Sequence, residues 1–219
     1  MQKFQMVTQA GENVAVVGVK GNVDDAQTAV KEIFTDEAVK AKLKEKGKAF
    51  SSANSINWGR LAPQIAYYIS SYVDLVDCGE IDLGDKVNFV VPTGNFGNIL
   101  AGYYGYKMGL PVHKLIVASN ANNVLTDFFN TGKYSVKRDF HKTASPSMDI
   151  LVSSNLERLL FELSGRDTDL IKKLYQDLKE KGEFTFDLDL LQNSIFEAGW
   201  ADETETKDAI YNYFDLDDV

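Results

Sequence analysis

The string Pro92-Thr-Gly-Asn-Phe-Gly-Asn98 has the composition of an anion-gripping loop. Gly94 and Gly97 permit backbone angles that other residues resist, and they let a ligand approach the main chain closely. Consecutive N–H groups in such a loop, followed by a helix start, form a cradle for a phosphate. Asn95 and Asn98 can add side-chain donors. No Gly-Lys-Ser/Thr follows, so this is not a Walker loop, and Phe96 stands where the dinucleotide fingerprint requires glycine. Taken alone, the string equally describes a tight strand-to-helix turn that binds nothing.

A second donor-rich string is Ser51-Ser-Ala-Asn-Ser-Ile-Asn-Trp-Gly-Arg60. It offers hydroxyls, amides and one planar guanidinium, a set suited to a phosphate or a carboxylate. Its plain alternative is an N-capping loop with Arg60 as a solvated charge. Two such loops at helix starts point together to a ligand with one or two phosphates. His141, in a polar loop, is a weaker acid/base candidate. Asp24 and Asp25 read as helix-capping acids, Ser153 and Ser154 as packing or capping residues, and Tyr103, Tyr104 and Tyr106 as cover for a helix–sheet core. Cys78, the only cysteine, has no basic neighbour in sequence to activate it. That one cysteine and two histidines argue against a Cys/His zinc site.

The elements that must position these loops follow from periodicity. Val14–Val19, Lys86–Val91 and Lys114–Ala118 are short apolar runs that read as strands. Helical spacing is expected over Asp24–Phe34, Asp36–Lys46, Arg60–Asp77, Ile99–Met108, Asn122–Asn130, Asp149–Leu163, Asp167–Lys181 and Glu203–Phe214. Lys133–Met148 reads as irregular. Strand, loop, helix, strand, helix around residues 86–130 is the signature of a parallel α/β sheet, whose ligands lie outside the strands' carboxyl ends. We therefore expect an α/β portion over residues 1–148 carrying the phosphate-binding loop, and a mainly helical acidic extension over 149–219.

The chain has 219 residues, 44% of them hydrophobic and 25% charged, which is globular composition. Its net charge of −9 is concentrated at one end: residues 183–219 hold 11 acids and one base, Lys207. An acidic chain without a basic stripe argues against nucleic acid as a partner. No apolar run is long enough to span a membrane, so a soluble, cytoplasmic protein is expected.

Taken together, several strings resemble the threonine synthases of the bacterial and fungal type. They are Gly21-Asn-Val-Asp-Asp-Ala26, Ser52-Ala-Asn-Ser-Ile-Asn-Trp-Gly-Arg-Leu61, Pro92–Asn98, Ser145-Pro-Ser-Met-Asp-Ile150 and Ser153-Ser-Asn-Leu-Glu-Arg158, in family order. The resemblance implies the tryptophan-synthase-β fold type (fold type II) and pyridoxal 5'-phosphate (PLP) as cofactor. The implied reaction, a carbon–oxygen lyase step in threonine biosynthesis, turns O-phosphohomoserine and water into threonine and phosphate. Gly94, Asn95, Phe96, Gly97 and Asn98 would then hold the cofactor phosphate, and Asn54, Ser55, Asn57 and Arg60 the substrate phosphate. The Phe-Lys-Asp type motif that carries the family's Schiff-base lysine does not occur here; the nearest string is Val136-Lys-Arg-Asp139. A C-terminal hydroxyl residue facing the cofactor ring is also missing. The expectation is an internal fragment that is inactive alone and prone to self-association through uncovered apolar surface. Two rival readings are a serine/threonine dehydratase-like PLP lyase and a non-enzymatic phosphate-binding module.

Overall fold

The computed structural model describes residues 8, 11–21, 23–52 and 56–213. The chain divides into two compact units, Met1–Phe50 and Ser51–Val219.

The first unit contains helices α1 (Val23–Thr35) and α2 (Glu37–Glu45). Asp36 caps α2: its carboxylate accepts from the N–H groups of Ala38 (2.8 Å) and Val39 (3.1 Å). Those are two of the donors that a helix start leaves without a partner. Gly47 takes a positive φ of 65° just past its end. The expected strand at Val14–Val19 is not formed. Only an isolated bridge joins Gly11 to Val14, and Val17 is 80% exposed. β propensity alone does not hold an extended segment without a neighbouring strand, and among the described residues none pairs with this one.

In the second unit, α3 (Trp58–Leu61) and a 3₁₀ turn at Ala62–Gln64 lead into α4 (Ile65–Asp77). Then come β1 (Val87–Pro92), α5 (Gly97–Lys107), β2 (Val112–Ser119), α6 (Val124–Thr131) and β3 (Lys133–Ser135). After an irregular stretch with a 3₁₀ turn at Pro146–Met148 follow α7 (Leu156–Leu163), α8 (Thr168–Lys181), β4 (Glu183–Thr185), α9 (Leu188–Gln192), β5 (Phe196–Trp200) and α10 (Glu203–Tyr213). The main sheet is parallel throughout, in the order β1-β2-β5, with β2 central. β3 and β4 form a separate antiparallel pair. Leu115 and Val117 of β2 are fully buried, as expected of a central strand covered by helices. An aromatic cluster of Phe96, Phe128, Phe129, Tyr134, Phe184 and Phe196 carries the core onward from the sheet.

Two departures from the expected elements bear on the site. The helix expected from Asp149 starts only at Leu156, because Asp149 and Ser153–Asn155 spend their hydrogen bonds on other loops. The acidic C-terminal region is largely helical, yet it also supplies β5, the third strand of the sheet. Among the described residues no helix is long and apolar enough to cross a membrane.

Candidate functional site

β1 ends at Pro92 and α5 begins at Gly97, so Thr93–Phe96 carries the chain from the carboxyl edge of the sheet into a helix start. Thr93 prolongs the pairing, donating its N–H to the Ala118 carbonyl at 2.8 Å. Phe96 is the N-cap and sits in the left-handed region at φ 64°. That conformation costs a non-glycine residue about 1–2 kcal/mol. Burial of the ring offsets it: Phe96 is 1% exposed, with Phe129 and Phe196 at centroid distances of 6.0 and 5.6 Å. The side chain thus belongs to the core, and only the main chain of Phe96 is left to serve a site.

The hydrogen-bonding of this loop is lopsided. Its carbonyls are satisfied by the residues ahead of α7. Ser153 Oγ donates to the Gly94 carbonyl at 2.7 Å. Asn155 donates to the Asn95 carbonyl twice, from its N–H at 3.1 Å and its Nδ2 at 2.9 Å. Ser154 Oγ donates to Asn95 Oδ1 at 3.1 Å. Arg158 holds Asn155 in place through Oδ1 at 2.9 Å and reaches the Ile56 carbonyl with its other nitrogen. The donors are left open. Phe96 has no oxygen with which to cap the helix, and no acceptor among the described residues meets the N–H groups of Gly94, Phe96, Gly97, Asn98 or Ile99. A set of open N–H groups at a helix start, where the helix dipole favours negative charge, is suited to an anion.

A cavity of about 460 Å³ opens at these donors, lined by Pro92–Ile99, by Arg60 and Gln64, and by Ser147 and Met148. Gly94 is what lets the last of these come close. A Cβ there would lie 2.8 Å from Ile150 Cδ1 and 3.5 Å from the Ser147 carbonyl oxygen.

The two donor-rich strings meet in this cavity through a chain of polar groups that runs over the buried Tyr68 and Gln64. Tyr68 Oη lies 2.6 Å from Asn98 Oδ1, Asn98 Nδ2 donates to Gln64 Oε1 at 3.3 Å, and Gln64 Nε2 donates to the Arg60 carbonyl at 2.9 Å. Burial pushes the Tyr68 phenol well above its ordinary range, so it is a protonated donor at neutral pH. Asn98 therefore serves the loop with its main chain while its side chain ties α5 to α4. Replacing Tyr68 by phenylalanine would leave Asn98 Oδ1 without its closest donor. The expected cost is about 1–2 kcal/mol, read as a lowered urea midpoint with an unchanged slope; a midpoint equal to the parent's would contradict this role.

The candidates from sequence fall out as follows. Gly94, Asn95, Phe96, Gly97, Asn98 and Arg60 all line the one cavity. Asn57 is the N-cap of α3, accepting from the Gly59 N–H at 2.9 Å and donating to the Ser52 carbonyl at 2.8 Å. Asn54 and Ser55 lie outside the described residues. His141 is exposed, and its main chain is paired with the Asn122 side chain in both directions. Cys78 is exposed. Sequence reasoning gave no role here to Gln64, Ser147, Met148 or Asn155. The contacts of the last three with the loop span some 50–60 residues, which no local spacing rule reports.

No family model matches the chain. Human threonine synthase-like 1 is 46% identical over 213 residues, covering 95% of this chain and 29% of that protein. Threonine synthase of Saccharomyces cerevisiae is 39% identical over 203 residues, covering 89% and 38%. Among solved structures, PLP-bound threonine synthase from Brucella melitensis superposes on the whole chain with a TM-score of 0.83 at 40% identity, covering 45% of its own length. The chain belongs to the threonine synthase family. The yeast threonine synthase structure matches 96% of the chain and 42% of its own, with a TM-score of 0.79 at 36% identity. The chain thus spans about a third of the length of the curated threonine synthase relatives it matches. The fold they share with it is the parallel sheet flanked by helices described above.

Proposed function

We propose that this chain supplies the phosphate-binding part of the active site of a PLP-dependent threonine synthase, acting in the complete protein on O-phosphohomoserine. The observation that carries the reading is the set of main-chain donors of Gly94, Phe96, Gly97, Asn98 and Ile99 that meet no acceptor among the described residues, facing a cavity that Arg60 shares. The residues present suit PLP: its phosphate is a dianion that needs several N–H donors and close main-chain approach, and Gly94 and Gly97 provide that approach. When bound, PLP supplies the electron sink for the carbanion chemistry of the reaction.

The main-chain donors of Gly94, Asn95, Phe96, Gly97 and Asn98 would hold the cofactor phosphate. Arg60, with Asn54 and Ser55, would hold the substrate phosphate. The Arg60 guanidinium matches two phosphate oxygens at once, which a lysine cannot do. Because the substrate loses phosphate in the reaction, donors already aimed at that group stabilise the charge that develops as it departs. Asn57 would support this second grip from the start of α3, as its cap.

The test is phosphate and threonine release from O-phosphohomoserine by the full-length protein, with PLP uptake followed by absorbance. Release of both products in equal amounts is expected. PLP uptake without product would leave the phosphate cradle standing and overturn the substrate. Product from L-serine in preference to O-phosphohomoserine would move the protein to the dehydratase-like lyases.

A further inference from the structure

Asp149 is 6% exposed, and no step of the proposed reaction uses it. Its carboxylate accepts four hydrogen bonds from neutral donors. Oδ1 takes them from Thr143 Oγ1 at 2.7 Å, Asn120 Nδ2 at 2.8 Å and Asn122 Nδ2 at 3.1 Å. Oδ2 takes one from the Thr143 N–H at 3.0 Å. Burying a carboxylate is costly unless its oxygens are hydrogen-bonded, and here both are.

The donors come from two places. Asn120 and Asn122 lie immediately beyond the carboxyl end of β2, the central strand. Thr143 belongs to the irregular stretch that runs to Ile150. Thr143 also holds its own stretch in shape, since its Oγ1 accepts from the Ser145 N–H at 3.1 Å. Asn122 adds a further clamp through the His141 main chain, donating to its carbonyl at 2.8 Å and accepting from its N–H at 2.9 Å. Between Thr143 and Asp149 the chain turns through the 3₁₀ turn Pro146–Met148, closed by the Met148 N–H to the Ser145 carbonyl at 2.8 Å. Asp149 therefore ties both ends of this turn together and fastens it to the sheet.

That turn is the wall of the cavity. Ser147 and Met148 line it, and Ile150, next to Asp149, is the residue seated against Gly94. We propose that Asp149 is a positioning residue that holds Ser147, Met148 and Ile150 as the wall facing the phosphate cradle. This rests on the cofactor-phosphate reading of the cradle. The wall adds contacts for a ligand larger than phosphate, whereas the loop that carries the donors is fastened by Ser153–Asn155 through the Gly94 and Asn95 carbonyls and by the Phe96 ring, none of them through a bond to Asp149. Asp149 is thus a determinant of how the body of the ligand is confined, and its phosphate is bound by other groups.

The experiment compares PLP with inorganic phosphate as probes on the full-length protein. PLP is followed by the absorbance of the bound form and phosphate by ³¹P line broadening, for the parent, Asp149→Asn and Thr143→Ala. In Asp149→Asn one acceptor becomes a donor that faces donors. Thr143→Ala removes a single hydroxyl at a half-buried position and serves as the variant that keeps its fold. The expected result is a PLP affinity lowered by about tenfold in Asp149→Asn and by about threefold in Thr143→Ala, on the scale of one lost buried hydrogen bond. Phosphate affinity stays within about twofold of the parent, because the cradle does not depend on the wall. Equal losses for both probes in Thr143→Ala would show general damage and overturn the inference, as would unchanged PLP affinity in either folded variant. A parent that binds neither probe would overturn the cofactor reading, and the inference with it. A parent that binds both, with variants indistinguishable from it, overturns the inference alone.

Discussion

Replacing Arg60 by alanine in the full-length protein is expected to lower kcat/KM for O-phosphohomoserine by about 10²–10³-fold, while PLP is retained with an unchanged absorbance. The size follows from removing the one charged donor proposed to meet the leaving anion, a loss of about 3–4 kcal/mol. The selectivity follows from the placement. Arg60 enters the cavity from the start of α3, whereas the open N–H groups proposed for the cofactor belong to the β1–α5 loop. Among the described residues the two are linked by the Asn98–Gln64 bond and the Arg60 carbonyl, and the substitution keeps that carbonyl. Arg60→Lys should recover a part of the rate, because a lysine restores the charge but not the two-pronged geometry. Equal loss of cofactor and substrate binding would show that Arg60 acts on the loop as a whole. Full activity in Arg60→Ala would remove it from the substrate site.

What the sequence revealed of this arrangement, and what it hid, divides along sequence distance. Val87–Pro92, the glycine-bearing loop and Gly97–Lys107 are consecutive, and each announces itself locally: a flat apolar run, two glycines, then small and aromatic residues at helical spacing. β2 is legible for the same reason. β5 is not. Phe196-Glu-Ala-Gly-Trp200 alternates over only five residues, carries a glycine and no β-branched residue, and it is a strand because Leu115–Ser119 lies beside it. Val14–Val19 is the converse case, a good strand by composition that among the described residues has no strand to pair with. Within the site, the donors of the loop could be read from its glycines. That its carbonyls are occupied by Ser153 and Asn155 could not, although those residues fall in one of the strings that carry the family resemblance. Asn57 shows the limit of reading donors by type. An asparagine ahead of a helix serves equally as ligand donor or cap, and here it caps α3. The long-range partners decide which donors remain open, and hence where the anion goes.

Phe96→Ala is expected to be the costliest single substitution in the loop, lowering stability by about 3–5 kcal/mol and with it the affinity for phosphate. Two opposed contributions meet at this residue. The left-handed backbone at φ 64° disfavours any side chain with a Cβ, by about 1–2 kcal/mol. The ring, buried against Phe129 and Phe196, outweighs that and keeps the peptide in place. Alanine removes the ring and keeps the Cβ, so only the bonds of Ser153 and Asn155 to the preceding carbonyls then resist relaxation to a negative φ. That rotation would misalign the N–H groups of Phe96 and Gly97 that the cradle depends on. Glycine in place of Phe96 also loses the ring but is at ease at positive φ. Phe96→Gly should therefore be more stable than Phe96→Ala by about 1 kcal/mol, against the usual order of the two residues near a helix. Urea denaturation of the three proteins measures the order directly, and ³¹P line broadening at low urea measures the phosphate affinity of whatever remains folded. If alanine proves the more stable of the two, the left-handed conformation is not what the ring maintains. If phosphate affinity survives in a folded Phe96→Ala protein, the cradle does not depend on that conformation.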